Sequence, residues 1–442
     1  MPHLPRFPRP LSVFLLVALT GGVSSSALAA PAVKPSVSST PGRVLSVQDR
    51  GAVTQAAVGP ATAKLYSRSG APDAKYGVQR YRLNFQSTDE RGQPITVAAQ
   101  LYVPVMATGA RVPLYVMGPG TTGLDNACAP TREVVSQDNW GDYEAHMLSY
   151  AAQGYVAILP DWANFDDASK PQPYFVANSE GRIMLDATRA ARSFFQGVSA
   201  VTPNEHTFFA GFSQGGHAAF AGADLAASYA PELRISGVIG YAPAMDVATL
   251  FRERPALGPY LARSYAAYYG LDPAKVLQPR WLAALDREAG KMCVTQVYRH
   301  YPHVAESIYR PEFLAALRSG QIQRYDANLA RMLKSNAPGF APQGRVIPAL
   351  VLTGMTDPIV TANAQLSFMR KSCAFGRAIV QREYADANHF QARQFGFRDT
   401  LAWMEDLSRG KVAPSSCTEA KYNIPKRAKK AEGTPVFVSQ NR

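Results

Sequence analysis

Apolar residues alternate with polar ones at Tyr81, Leu83 and Phe85, and after the turn Asp89-Glu90-Arg91-Gly92 a β-rich stretch covers residues 95–103. Period-2 alternation on both sides of a Gly-containing turn predicts an antiparallel hairpin, expected at a sheet edge. Downstream the rhythm changes. Short apolar runs at residues 112–117, 155–159, 207–210, 235–241, 347–352 and 378–384 alternate with segments long enough for helices, of which 182–195, 214–228 and 393–407 carry helical spacing. Runs that are apolar throughout fit strands buried on both faces. The expected fold class is therefore α/β, with a mostly parallel central sheet flanked by helices.

Residues 247–339 break this alternation, with several helix-like pieces, no convincing strand, and core strands on either side. The segment reads as a helical cap inserted before the next strand. Its aromatics, Phe251, Tyr260, Tyr265, Tyr268, Tyr269, Trp281, Tyr298, Tyr301, Tyr309 and Phe313, are expected mostly to form its own core, with about a third facing an acyl pocket. The expected organisation is a leader at 1–29, a flexible lead-in at 30–42, a first core part at 43–246, the cap at 247–339, a second core part at 340–417, and a basic tail at 418–442.

The leader reading rests on Arg6 and Arg9 before an apolar run at 11–19, and on the small-residue site Ala27-Leu28-Ala29. That apolar run is about ten residues, where a bilayer span needs about twenty. A secreted or periplasmic protein beginning at Ala30 follows. Hydrophobic residues at 47% and charged ones at 18% exclude wholesale disorder. The net charge of +13 is partly a property of the tail, where Lys421, Lys426, Arg427, Lys429, Lys430 and Arg442 outnumber Glu419 and Glu432. Such a tail gives at most weak adhesion to anionic envelope surfaces. No zinc-finger spacing or aromatic-basic motif points to nucleic acid.

Four cysteines, Cys128, Cys293, Cys373 and Cys417, lie far apart in the chain. In an exported protein they suggest two disulfides rather than a metal site, which needs close ligand pairs. Of three pairings, Cys128 with Cys293 and Cys373 with Cys417 is favoured, because it would tether the cap and the C-terminal segment.

The chemistry is carried by Gly211-Phe212-Ser213-Gln214-Gly215, which follows the 207–210 strand and precedes a small-residue helix. That is the setting of a nucleophile elbow: a sharp turn projects the serine hydroxyl, and the glycines let neighbouring backbone approach. A serine hydroxyl needs a general base at neutral pH. His389, in Asp386-Ala387-Asn388-His389-Phe390 after the last strand, fits that role better than His146, His300 or His303; His206 and His217 are poorly placed. Asp357, just after the 347–352 strand in Gly354-Met355-Thr356-Asp357-Pro358, supplies the acid in the order Ser, Asp, His; Asp161 and Asp386 are the residues it could be confused with. Oxyanion donors are expected from the backbone N–H of Gln214 and of Thr121 in Gly118-Pro119-Gly120-Thr121-Thr122-Gly123, with Thr122 or Asp125 in support.

These residues resemble the secretory lipases, a family that includes fungal type-A lipases and exported bacterial esterases. The likeness rests on Gly120-Thr121-Thr122-Gly123 with Asp125 and Cys128-Ala129-Pro130, on Gly211-Phe212-Ser213-Gln214-Gly215-Gly216-His217, on Asp357-Pro358 and on Asn388-His389, and spans about residues 78–417. Pro119 departs from it, standing where many related hydrolases have histidine. The resemblance implies an α/β-hydrolase fold with a helical cap, a Ser213-Asp357-His389 triad, a part for Asp125 in the oxyanion site, the favoured cysteine pairing, and small-molecule or lipid acyl esters as substrates in lipid catabolism. No cofactor or metal is expected, and oligomeric state is left open. The competing readings are an esterase of acylated wall polysaccharides, a peptidase on the same fold, and a non-catalytic wall-binding protein. A basic, aromatic cap speaks against the peptidase, and three triad residue types in order against the binding protein.

Overall fold

The computed structural model describes residues 40–134, 140–167, 169–196 and 201–422. The leader, most of the lead-in and most of the basic tail lie outside the described residues. The chain divides into units at 1–38 and 39–442, and every described residue belongs to the second.

Nine strands form one sheet in the order β1-β2-β3-β5-β4-β6-β7-β8-β9. They are β1 (Val44–Val53), β2 (Val78–Thr88), β3 (Pro94–Pro104), β4 (Arg111–Gly118), β5 (Val156–Pro160), β6 (Thr202–Phe212), β7 (Gly237–Tyr241), β8 (Ala349–Gly354) and β9 (Ile379–Tyr384). The first three strands are antiparallel, β3 pairs antiparallel with β5, and every pairing from β5 to β9 is parallel. The expected hairpin is β2–β3. It is not the outermost element, because β1 pairs with β2 and takes the edge. Eight consecutive β1 residues are exposed and Asp49-Arg50-Gly51 interrupts its apolar positions, so it carries no buried alternation to read.

The helices are α1 (Gln55–Thr62), α2 (Tyr143–Ala151), α3 (Ala177–Phe194) and α4 (Gln214–Tyr229). Between β7 and β8 follow α5 (Val247–Glu253), α6 (Gly258–Tyr269), α7 (Pro279–Leu282), α8 (Val294–His300), α9 (Ala305–Ile308), α10 (Pro311–Ser319), α11 (Ile322–Tyr325) and α12 (Ala327–Ser335). The chain ends with α13 (Ala362–Phe375), α14 (Gln391–Phe395) and α15 (Phe397–Ser408). Alternation along β4 shows why both sheet faces are covered. Leu114 and Val116 join the core under α3, α4 and α13, whereas Tyr115 and Met117 join the one under α1, α2 and α15. At about 25 cal/mol per Å² of apolar area, such two-sided burial is the main drive to this layered arrangement.

Cys128 bonds Cys293 and Cys373 bonds Cys417. With separations of 165 and 44 residues, loop closure alone gives upper limits of about 5 and about 4 kcal/mol. The first bridge has local company. Gly123 pairs with Cys293 as an isolated β-bridge, and Val294 N–H donates to the Thr122 carbonyl at 2.8 Å, so the loop after β4 is stapled to the start of α8.

Candidate active site

Ser213 stands between β6 and α4 with φ 53° and ψ −112°, a left-handed conformation unusual for a residue with a side chain. Such strain costs on the order of 1–3 kcal/mol and has to be held by its surroundings. Ser213 N–H donates to Tyr241 O at 3.0 Å, while its carbonyl accepts from Gly216, His217 and Ala244 N–H groups. The turn tolerates no side chains beside it: a Cβ on Gly215 would lie 1.8 Å from Gly118 O, and one on Gly211 1.8 Å from Gly215 O. Gly211 and Gly215 thus let β6, α4 and the loop after β4 meet.

Asp357 follows β8 and points one carboxylate oxygen at the backbone: Oδ1 accepts from Ile359 N–H at 2.7 Å and Val360 N–H at 2.9 Å. Its Oδ2 lies 2.7 Å from His389 Nδ1. That contact assigns the Nδ1 proton to the carboxylate side and leaves the Nε2 lone pair free to accept. The loop bearing His389 is turned by Asn388, whose Oδ1 accepts from Phe390 and Gln391 N–H groups. Ser213, Asp357 and His389 are all buried, and Ser213 and His389 line one cavity of ≈ 240 Å³. No hydrogen bond joins Ser213 Oγ to the ring among the described residues; without substrate this contact is commonly long and tightens on binding.

Thr121 lines the same cavity, with its hydroxyl bonded to Tyr174 OH at 2.9 Å, and Gln214 N–H opens α4, where it has no helical acceptor. Gly120 N–H is already engaged by Tyr143 OH at 2.8 Å. Asp125 lies elsewhere than the resemblance implied. Its carboxylate caps the turn at Ala127 N–H and pairs with Lys291 at 2.6 Å, and it is not among the cavity residues. The Asx turn leading to Cys128 claims its oxygens.

The cavity walls are mostly apolar: Trp140, Tyr174, Phe175, Phe212, Leu250, Leu257, Val294, Tyr298, Ile359 and Phe390. Of the ten aromatics noted between residues 247 and 339, only Tyr298 is a wall residue, which corrects the expectation of about a third. Some of the others pack on one another, as in the edge-to-face contact of Tyr309 and Phe313, while Tyr260, Tyr265 and Tyr268 reach the segment 171–175 behind the cavity wall. Aromatic walls come instead from segments around the sheet.

The other candidates are occupied structurally. His146 is buried on α2 against Tyr115 OH at 2.8 Å, and burial pushes its imidazole well below the usual range. His300 pairs with Glu288 and His303 bonds Tyr298 O. Asp386 is exposed. Asp161 accepts from Thr131 N–H and Oγ1 at 2.8 and 2.6 Å, and burial raises its carboxyl to about 6. Because the native state keeps this proton at pH values where the unfolded chain has lost it, stability falls as pH rises from about 4 to about 6, by about 3 kcal/mol. Asp161→Asn removes the charge and can keep both contacts, its Oδ1 accepting from Thr131 N–H and its Nδ2 donating to Thr131 Oγ1. Its stability relative to the wild type is expected to rise by that amount between pH 4 and pH 7 in urea unfolding; a difference independent of pH would contradict this.

Two buried groups are not singled out by the sequence reading. Glu180 on α3 accepts from Gln214 Nε2 at 2.8 Å and Phe175 N–H at 3.1 Å, and its other oxygen lies 2.6 Å from His217 Nδ1. His217 Nε2 in turn donates to Asn336 O at 2.8 Å. Arg393 on α14 lies over the Phe212 ring at 4.3 Å and donates to Gly141 O at 2.6 Å, supporting two cavity residues. The only hints were His217 three residues from Gln214 on one helix, and Arg393 one helical turn after His389.

A mostly parallel sheet covered on both faces, with a serine on the strand-to-helix turn and an Asp–His pair on loops after later strands, defines an α/β-hydrolase. Residues 142–256 match the family model described as "Secretory lipase". Lipase A of Moesziomyces aphidis is 22% identical over 76% of this chain and 74% of its own length. The secreted triacylglycerol lipase LIP4 of Malassezia furfur is 23% identical over 67% of this chain and 56% of its own. The ligand-bound rice cell wall degrading esterase LipA of Xanthomonas oryzae shares the fold with a TM-score of 0.63, at 22% identity over 83% of this chain and 97% of that one. Over residues 142–256 the chain is thus similar to the secretory lipases, and over most of its length to proteins named as lipases.

Proposed function

We propose that the protein is an exported esterase or lipase that cleaves acyl esters through a covalent acyl-enzyme, with a place in lipid catabolism. Ser213 Oγ attacks the ester carbonyl while His389 Nε2 takes its proton. The backbone N–H groups of Gln214 and Thr121 receive the oxyanion, and the tetrahedral intermediate collapses as His389 returns the proton to the departing alcohol. Water then repeats the sequence on the acyl-serine and frees the acid. Asp357 holds the ring in the tautomer this requires. The observation that carries the reading is the 2.7 Å bond from His389 to Asp357, with the ring entering the apolar cavity that also holds Ser213.

Apolar walls favour an acyl chain over a charged peptide terminus. A fluorophosphonate probe should form one adduct on Ser213, located by peptide mass, and a p-nitrophenyl ester series with an emulsified triglyceride and a feruloylated sugar as further substrates defines the acyl preference. An adduct on another residue, or esterase activity in protein that does not label, would refute the proposal.

A further inference from the structure

A second cleft, of ≈ 40 Å³, opens beside the antiparallel strands and is lined by Arg50, Arg80, Arg82, Gln100, Tyr102 and Glu144, among others. Arg80 and Arg82 lie two apart on β2 and so share a face. The register sets them opposite Tyr102 and Gln100 of β3. Arg50 joins them from β1, where the pairing slips between Asp49 and Ala52, and a bulge of that kind re-aims a side chain.

The charges there do not balance. Arg80 is satisfied: it pairs with Glu144 and donates to Gly51 O at 3.3 Å and Arg50 O at 2.9 Å. Asp161, whose charge also reaches Arg82, gives its oxygens to Thr131. Among the described residues the Arg50 and Arg82 guanidiniums make no hydrogen bond or ion pair. Two unpaired cations facing one small space repel each other, and one anion between them would turn repulsion into attraction. Guanidinium forks match carboxylate and phosphate oxygens in pairs.

We propose that this cleft is a binding site for a single oxyanion group, carboxylate or phosphate, of a small polar ligand. Arg82 and Arg80 are recessed, the latter with 29% of its side chain exposed, so a flat membrane surface cannot reach them while a protruding group can. The site is separate from the ester-cleaving cavity and does not depend on the reading of it. Gly141 and Asp142 line that cavity, and Glu144 in the first turn of α2 lines this one, so the two flank one helix start.

The test is calorimetric titration of the full chain at low salt with inorganic phosphate, glycerol 3-phosphate and galacturonate, using glycerol and galactose as neutral controls. Saturable binding of the anions alone is expected, weakened about tenfold or more in Arg82→Gln and in Arg50→Gln, and unchanged in Ser213→Ala. Tighter glycerol 3-phosphate identifies a headgroup-like ligand, tighter galacturonate an acidic sugar. Absence of saturable anion binding in the wild type, or full affinity in Arg50→Gln, whose exposed edge position leaves folding intact, would overturn the assignment.

Discussion

Replacing Ser213 with alanine is expected to lower kcat/KM on a p-nitrophenyl ester by about 10⁴- to 10⁶-fold while leaving the urea unfolding midpoint nearly unchanged. The loss is large because the proposed acyl-enzyme route depends on one oxygen, and only slow attack by water remains once it is gone. The fold is spared because Ser213 is held through its backbone, by Tyr241 O on one side and the Gly216, His217 and Ala244 N–H groups on the other. Alanine meets the same penalty at φ 53° that serine does, so little strain is added or relieved. His389→Ala should fall by a similar factor, and the double variant hardly further, since the two act as one unit. Full additivity of the two losses would mean that they do not.

Part of this arrangement was legible in the chain and part was not, for a physical reason that recurs. Strands β2 to β9 announce themselves because each buries apolar side chains in a local pattern, and the serine, aspartate and histidine stand at fixed places relative to those strands. The edge strand β1 escapes because its side chains face solvent, and α1 because Pro60 lies inside it. Non-local polar contacts escape for another reason. Glu180 meets Gln214 and His217 across 34 and 37 residues, and Arg393 meets Gly141 across 252; no spacing rule connects such positions. Asp125 shows the converse, since its place in a resemblance suggested a catalytic part while a local Asx turn and Lys291 claimed its carboxylate.

Glu180→Ala is expected to destabilise the protein by about 3–5 kcal/mol, and Glu180→Gln by only about 1–2 kcal/mol. Both Glu180 and His217 have side chains with no exposed surface. Nε2 of His217 faces the Asn336 carbonyl, which can only accept, so that nitrogen carries a hydrogen and the second proton is shared between Nδ1 and Glu180. Alanine strands Nδ1, the Gln214 amide and the Phe175 N–H together at a site with no exposed side-chain surface. Glutamine keeps them all: its carbonyl oxygen accepts from Gln214 and Phe175, and its amide N–H donates to Nδ1 of a neutral ring still protonated at Nε2. Catalysis should follow the same order. Phe175 is a cavity wall at φ 54°, and Gln214 N–H is the proposed oxyanion donor, so loosening both should lower kcat more than it raises KM. Urea unfolding of the two variants beside their kcat and KM values decides the matter. Equal stability losses would show that Glu180 acts only through its charge on His217, whereas a stable alanine variant would show that the network carries no weight.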